Sequence, residues 1–419
     1  MKKRIIRLKE QEPDTVRVYT PSDDYRKIRP TLDRKLSYLT TVNDDGFMIT
    51  GNYVKAPQKI FLLGGSFVEN MYTSQNHRIH SQIERQLIAQ GYYVEVLNSG
   101  VSGSTSLNLF NVVINKIAPY APCTIVFVIS INDVHALSFD SGFWNKYRLF
   151  STLDQTTDLE RARQNISEKN IADLTKLYMS LKMFCELFNI NLLIANTPYI
   201  SIIDDNFYKL DHSYYARMVA RRERIYGALF GLFKRQDFDS LDLHLAMNEN
   251  KELFFDDVHT NAIGSSVVAN IIVPRLKKYV KRTDGNARIQ VYRCLDHAQR
   301  LSTDVLWSSS MIMPENMAGF SHAIIEYQVE CGSDVIENNA LFCVDFGGIE
   351  CDRAEVGLKY SDTVGFFSYL QTGAGLALSG AQQFSIPHSC RELRVGIGLW
   401  KRRSDIKISD VQLTLFFHS

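Results

Sequence analysis

Seven cysteines are scattered through 419 residues with no CxxC pair and no metal-ligand spacing. This speaks against structural zinc and against a disulfide framework, and predicts free thiols in a reducing compartment, mostly buried as small hydrophobes. Long apolar runs are missing too. The longest, such as TIVFVISI (124–131), suit a buried strand and fall far short of the roughly 20 residues that span a bilayer. Neither sign of charge dominates: 47 basic and 46 acidic residues leave a net charge of +1, so no global field draws the chain to nucleic acid or to an anionic membrane. The opening MKKRIIRLKEQEPDT has the basic start of a signal peptide but not its apolar stretch, so a cytoplasmic location is the expectation. Internal repeats and low-complexity tracts are absent as well.

What remains is an ordinary globular composition, 45% hydrophobic and 22% charged, on a chain long enough for two cores. Residues 1–57 are polar and carry Pro21, Pro30 and Pro57, which predicts an extended arm on the first domain with a short hairpin at Asp44-Asp45-Gly46. From 58 to 281, the apolar runs KIFLL (59–63), YYVEVLN (92–98), TIVFVIS (124–130) and NINLLIAN (189–196) alternate with segments of three-to-four apolar spacing. Gly91 stands where a helix C-cap is expected and Pro119 where a helix stops. Strand–helix alternation predicts a parallel sheet covered on both faces. Residues 134–166, with Phe139, Phe143, Trp144, Tyr147 and Phe150, read as an aromatic insertion over the carboxyl ends of the strands. From 286 to 419, short runs alternate in polarity without helices, which predicts an all-β sandwich. Lys401-Arg402-Arg403 reads there as a solvated turn.

Three short blocks stand just past strands of the parallel sheet, where such sheets present ligands: the GGS of KIFLLGGSFVEN (59–70), NSGVSGSTS (98–106) and ISIND (129–133). A fourth, FFDDVHTNAIG (254–264), leads into a helix. Alone, each has a plain reading: a turn, a loop, a helix cap, a structural histidine. NSGVSGSTS lacks the Gly-Lys-Ser/Thr ending and the GxGxxG spacing of nucleotide-binding loops. Together the blocks hold the groups that acyl transfer from an ester requires. A serine hydroxyl needs a base, the base needs an acid that fixes its tautomer, and the developing oxyanion needs donors aimed at it. Ser66, His259, Asp256, the backbone N–H groups of Ser66 and Gly103, and the Asn132 amide can fill these roles.

In this order the blocks resemble those of the SGNH (GDSL-type) hydrolase family over residues 58–281. The resemblance implies a flavodoxin-like three-layer α/β/α sandwich with Ser66 as nucleophile, His259 as base and Asp256 as its partner, since the family's block is Asp-x-x-His. It also implies an oxyanion hole of Ser66, Gly103 and Asn132, with no cofactor and no metal. The first block reads GGSF where GDSL is commonest, and Ser130 stands where a glycine often precedes the asparagine. Neither departure removes a catalytic group.

The implied activity is hydrolysis of a small acyl ester, acetyl above all, on a carbohydrate or glycan precursor. His135, Phe143 and Trp144 are candidate substrate contacts, and His77 and His80 read as surface or rim residues. Asp257 is expected to face solvent. The C-terminal sandwich, jelly-roll-like, resembles a carbohydrate-binding module with Trp307, Trp400 and Tyr369 as platforms or core, and is a candidate for homo-oligomer contacts. Two other readings stand beside this one. The same triad serves an O-acyltransferase, or the chain is a non-catalytic glycan-binding or assembly module.

Overall fold

The computed structural model describes residues 6, 8–29, 31–32, 36–50, 56–152, 165–201, 211–247, 250–282, 288–295, 298–302, 305–308, 311–312, 321–333, 335, 339–347, 356–387, 389–400 and 405–417. The chain opens with strand β1 (Val16–Tyr19), helix α1 (Asp23–Lys27) and β2 (Leu36–Thr41). An alternating stretch follows: β3 (Gln58–Leu63), α2 (Ser66–Glu69), α3 (Ile79–Ala89), β4 (Val94–Asn98), α4 (Ser106–Val112), β5 (Cys123–Ile129), α5 (Asp133–Ala136), α6 (Glu168–Leu187), β6 (Ile190–Asn196), α7 (His212–Arg235), β7 (Ser240–Leu241), α8 (Leu243–Met247) and α9 (Ala262–Leu276). Strands β3 to β7 form one parallel sheet in the order β4-β3-β5-β6-β7. Counted within the sheet, that is the doubly wound order 2-1-3-4-5.

The apolar runs are continuous because both faces of this sheet are covered. Successive residues of a strand point to opposite faces, and the two cores divide accordingly. Phe61 and Leu63 of β3, with Ile125, Phe127 and Ile129 of β5, face α4, α6 and α7 through Leu109, Tyr178 and Leu229. Ile60, Leu62, Val126 and Val128 face α3 and α9 through Ile83, Leu87, Val268 and Ile272. Gly91 ends α3 as expected: its φ is +84°, and its N–H reaches Ile88 O at 2.9 Å.

Beyond this unit run β8 (Arg288–Arg293), β9 (Gln299–Arg300), β10 (Leu306–Trp307), β11 (Met311–Ile312), β12 (Ser321–Cys331), β13 (Ala340–Asp345), β14 (Lys359–Ser361), β15 (Gly365–Tyr369), β16 (Ala377–Ile386), β17 (Glu392–Leu399) and β18 (Ile406–Phe417). One sheet has the order β1-β2-β16-β12-β18-β8, and the other β10-β17-β13-β15-β14. Alternate residues of both, among them Ile325, Tyr327, Phe342, Val344, Val395, Ile397, Leu413 and Leu415, meet in a common core. The first sheet rests on α3 and the 3-10 turn before it, where Glu326 pairs with Arg85 of α3 at 2.5 Å and accepts from Asn76 Nδ2 of the turn at 2.8 Å.

The N-terminal arm differs from its expected course. The turn at 44–46 is present, bridged by Val42 and Met48, and Met48 pairs with Asn98 at the end of β4. The β1–β2 hairpin, however, extends the C-terminal sheet through the parallel pairs Leu36–Ala377 and Ser37–Leu378. The arm therefore ties both units together instead of lying on the first alone. The aromatic insertion is also more deeply seated than expected. Phe139, Phe143 and Phe150 are core residues, while Trp144, Tyr147 and Leu149 are exposed; its residues 153–164 lie outside the described chain. In the second β sheet Trp400 stacks on Phe367 at 5.4 Å and Tyr369 meets the same ring edge-on, so both pack in a small outer cluster. Trp307 is more open and lies under the Arg394 guanidinium. The 401–403 turn lies outside the described residues. The cysteines at 123, 185, 294, 331, 343 and 390 are free. Among the described residues, no helix is long and apolar enough to cross a membrane.

Candidate active site

In a doubly wound sheet the ligand crevice opens where the chain reverses its winding, here between the carboxyl ends of β3 and β5. Both ends carry candidate residues. After Leu63, the chain passes Gly64 and Gly65 and enters α2 at Ser66, which is half-buried. The two glycines are demanded by close approach. A Cβ on Gly64 would lie 2.3 Å from Val68 Cγ2, and one on Gly65 would lie 3.0 Å from Asn132 Nδ2 and 3.2 Å from Ser130 Oγ. The Asn132 amide therefore sits directly against the backbone that presents Ser66.

The loop after β4 is packed just as closely. A Cβ on Gly100 would fall 2.3 Å from Glu69 N, so α2 and this loop touch backbone to backbone. Asn98 holds the junction, donating from Nδ2 to Val68 O at 2.8 Å and accepting from Gly100 N at 2.7 Å. The buried Glu69 carboxylate accepts from Ser102 N at 2.7 Å and Ser102 Oγ at 2.5 Å. Gly103 adopts φ +76°, a conformation that disfavours any side chain, and Leu149 Cδ1 fills the space 2.9 Å from where its Cβ would be. Ser104 O then accepts from Asn132 Nδ2 at 3.0 Å and from Ser130 Oγ. Ser130 thus fastens the second and third blocks to each other. Beneath them, Asp133 accepts from Ser106 N at 2.8 Å and Ser106 Oγ at 2.5 Å. Burial pushes this carboxyl up to about 7 against those two bonds.

The fourth block is built around one carboxylate. Asp256 Oδ1 accepts from Val258 N at 3.0 Å and His259 N at 2.7 Å, and its two oxygens lie 2.9 and 2.8 Å from His259 Nδ1. That places the proton on Nδ1 and leaves Nε2 as the basic nitrogen. Phe255 stacks on the imidazole at 5.5 Å. Burial works against the charge on both partners, but their mutual attraction and hydrogen bonds outweigh it. Asp256 is held below the usual carboxylate range, and His259 is raised by Asp256, then Asp257 and Glu69. Thr260 O accepts from Asn70 Nδ2 at 2.9 Å and Thr73 Oγ1 at 3.1 Å, fastening this block to the end of the helix that begins with Ser66. The structure thus brings Asp256 onto His259, and Asn132 onto the Ser66 backbone. It does not close the last link: among the described residues, Ser66 Oγ makes no hydrogen bond, to His259 or to any other group.

Several expectations are corrected. Asp257 does not face solvent; it pairs at 3.1 Å with Arg222 of α7, which is nearly fully buried. His80 is a core residue, not a surface one, its ring set between Asn98 Nδ2 at 3.1 Å and Ile49 O at 3.3 Å. Burial, with help from Arg78, pushes it down to about 3. His77 is half-buried in a separate 3-10 turn preceding α3. Phe143, offered as a substrate contact, is 1% exposed and belongs to the core, whereas its neighbour Trp144 is 58% exposed and is accessible. His135 is half-buried and stacks on Phe150 at 5.3 Å, and burial together with Arg222 and Arg221 lowers it to about 4, so it is neutral near pH 7.

Glu69 and Arg222 went unnoticed in the sequence. Glu69 had one signal, a charge three residues after the serine in an otherwise apolar turn. Arg222 lies inside a run of basic helix residues and had none. Its position gives a pH prediction. A histidine base works when neutral, so kcat/KM rises with pH through its pKa. Arg222 offsets the Asp257 charge, which itself raises His259. Arg222→Met should therefore move the acid limb of kcat/KM to higher pH, and adding Asp257→Asn should move it back. An unchanged profile in the single variant would count against the arrangement.

No protein-family model matches the sequence, and no curated protein does either. Among solved structures, the chain is similar to the lipase/acylhydrolase from Enterococcus faecalis, at 16% identity and TM-score 0.39, over 54% of this chain and 99% of that one. It is also similar to the acetyl xylan esterase AlAXEase, at 18% identity and TM-score 0.37, over 52% and 99%. A third is Axe2, an acetylxylan esterase from Geobacillus stearothermophilus, at 15% identity and TM-score 0.38, over 54% and 96%. Likeness this distant assigns no activity to the chain.

Proposed function

We propose that the chain is a serine esterase of the SGNH type that removes a small acyl group, acetyl above all, from a carbohydrate or glycan precursor. The observation that carries this reading is the Asp256–His259 clamp, fastened through Thr260 and Asn70 to the helix that begins with Ser66. Ser66 Oγ attacks the ester carbonyl carbon while His259 Nε2 takes its proton. The carbonyl oxygen becomes an anion facing the N–H groups of Ser66 and Gly103, and the Asn132 amide, which without substrate donates to Ser104 O and Ser130 Oγ, turns one hydrogen toward it. Collapse of this intermediate breaks the bond to the leaving alcohol, which departs with the proton from Nε2. Water, deprotonated by the same nitrogen, then releases the acid from Ser66 by the reverse sequence.

The substrate class is supported by the exposed ring of Trp144, available to stack on a sugar face, and by Leu149, which crowds the Gly103 side of the site and favours a short acyl group. The test is turnover of short-chain aryl esters and acetylated sugars by the purified chain. Acetyl esters should be hydrolysed faster than octanoyl esters. If added sugar hydroxyls divert the acyl group from water to an ester product, the chain is an acyltransferase instead. No turnover of any ester would favour a binding module.

A further inference from the structure

We infer that Lys9 and Gln11, in the N-terminal arm, are positioning residues for the oxyanion loop. The proposal rests on the esterase reading above and extends it to a segment outside the parallel α/β unit. Lys9 is 8% exposed, and its ammonium donates to Gly103 O at 2.5 Å and to Leu149 O. Burying an ammonium is costly, and the Gly103 and Leu149 carbonyls help to offset that cost while the loop keeps its present course. Gln11 is 3% exposed and donates from Nε2 to Gly100 O at 2.9 Å and to Glu69 Oε1 at 3.1 Å. The other oxygen of Glu69 holds Ser102 N and Oγ. Three of the four residues from Gly100 to Gly103 are thus held from the side of the arm and α2.

Gly103 needs such support. A glycine has little backbone preference of its own, so the direction of its N–H depends on what holds its neighbouring groups. Lys9 holds its carbonyl, while Ser102, just before it, is held by Glu69. The arm is itself fixed: Glu10 pairs with Lys116 at 2.8 Å, and Arg17 Nη1 donates to Gln11 Oε1 at 3.3 Å. With these contacts in place, the Gly103 donor meets the oxyanion without reorganising, which is where hydrogen-bond donors contribute most to catalysis.

The test compares the full-length wild type, Lys9→Met, Gln11→Ala and Ser66→Ala on an aryl acetate, together with amide hydrogen exchange. Lys9→Met should lower kcat by about 10- to 100-fold, with KM within about threefold, since a transition-state contact is lost. Affinity for an alkyl boronic acid, which mimics the tetrahedral adduct, should fall by a similar factor. Amides of residues 99–104 should exchange faster in both arm variants, while those of β3 and β5 keep their protection. Unchanged kcat with unchanged loop exchange overturns the proposal. Loss spread equally over all amides, with a lowered melting temperature, also overturns it by showing a merely structural role. If the wild type has no turnover that Ser66→Ala removes, the esterase reading fails by itself, and loop exchange alone then decides whether the arm orders the loop.

Discussion

Replacing Ser66 by alanine should lower ester turnover by about 10⁴- to 10⁶-fold and leave the unfolding transition where it was. The two halves of this expectation have different causes. The chemical half follows from the proposed mechanism, in which this hydroxyl is the attacking atom. The structural half follows from its surroundings. Ser66 is half-buried, and its Oγ makes no hydrogen bond among the described residues, so removing it leaves no buried group unpaired. The backbone at residue 66 stays, since Asn70 N still bonds residue 66 O at 2.8 Å. Turnover of an aryl acetate and a thermal melt decide the matter, and a variant that kept a tenth of wild-type kcat would place the nucleophile elsewhere.

The second large effect separates two adjacent carboxylates. His259→Ala should fall nearly as far as Ser66→Ala, and Asp256→Asn by about 10³- to 10⁴-fold, whereas Asp257→Asn should stay within about tenfold of wild type. An asparagine at 256 can still accept from Val258 N and His259 N through its oxygen. Its amide nitrogen then faces His259 Nδ1 and offers a hydrogen there, which forces the proton onto Nε2 and removes the base. At 257 no such tautomer is at stake, because that carboxylate makes its side-chain hydrogen bond to Arg222 and acts on the imidazole only through its charge. Steady-state kinetics on the three variants checks this. Equal loss at 256 and 257 would show that both acids act on the histidine.

The parts of this molecule that were legible in the sequence share one property: they are local. A strand buried on both faces shows as an unbroken apolar run, and KIFLL and TIVFVIS are such runs, each followed at once by the residues it presents. The Asp256–His259 pair was named from the resemblance of FFDDVHTNAIG to an Asp-x-x-His block, and the structure folds that carboxylate back onto the ring three residues away. Contacts between distant segments were not legible. Nothing near residue 36 announces that Leu36 will pair with Ala377, so the arm was assigned to one unit when it joins two. Asp256 and Asp257 look alike in the chain, and only a helix residue 35 positions earlier distinguishes them. Phe143 and Trp144 are neighbours of similar character, yet one is interior and the other exposed, because an irregular loop has no period from which to read a face. His80 failed differently. Its helix was foreseen, but the side packed against Asn98 and Ile49 also carries Glu84, so polar residues there gave no sign of burial.

The most direct test is to treat the intact protein with a fluorophosphonate and map the adduct by mass spectrometry. Such reagents modify a serine only where a base activates it and donors receive the phosphoryl oxygen, so the whole arrangement is read at once. A single adduct on Ser66, lost in His259→Ala, is the predicted result. No adduct on the wild type, or one on a different serine that persists in Ser66→Ala, would contradict the account.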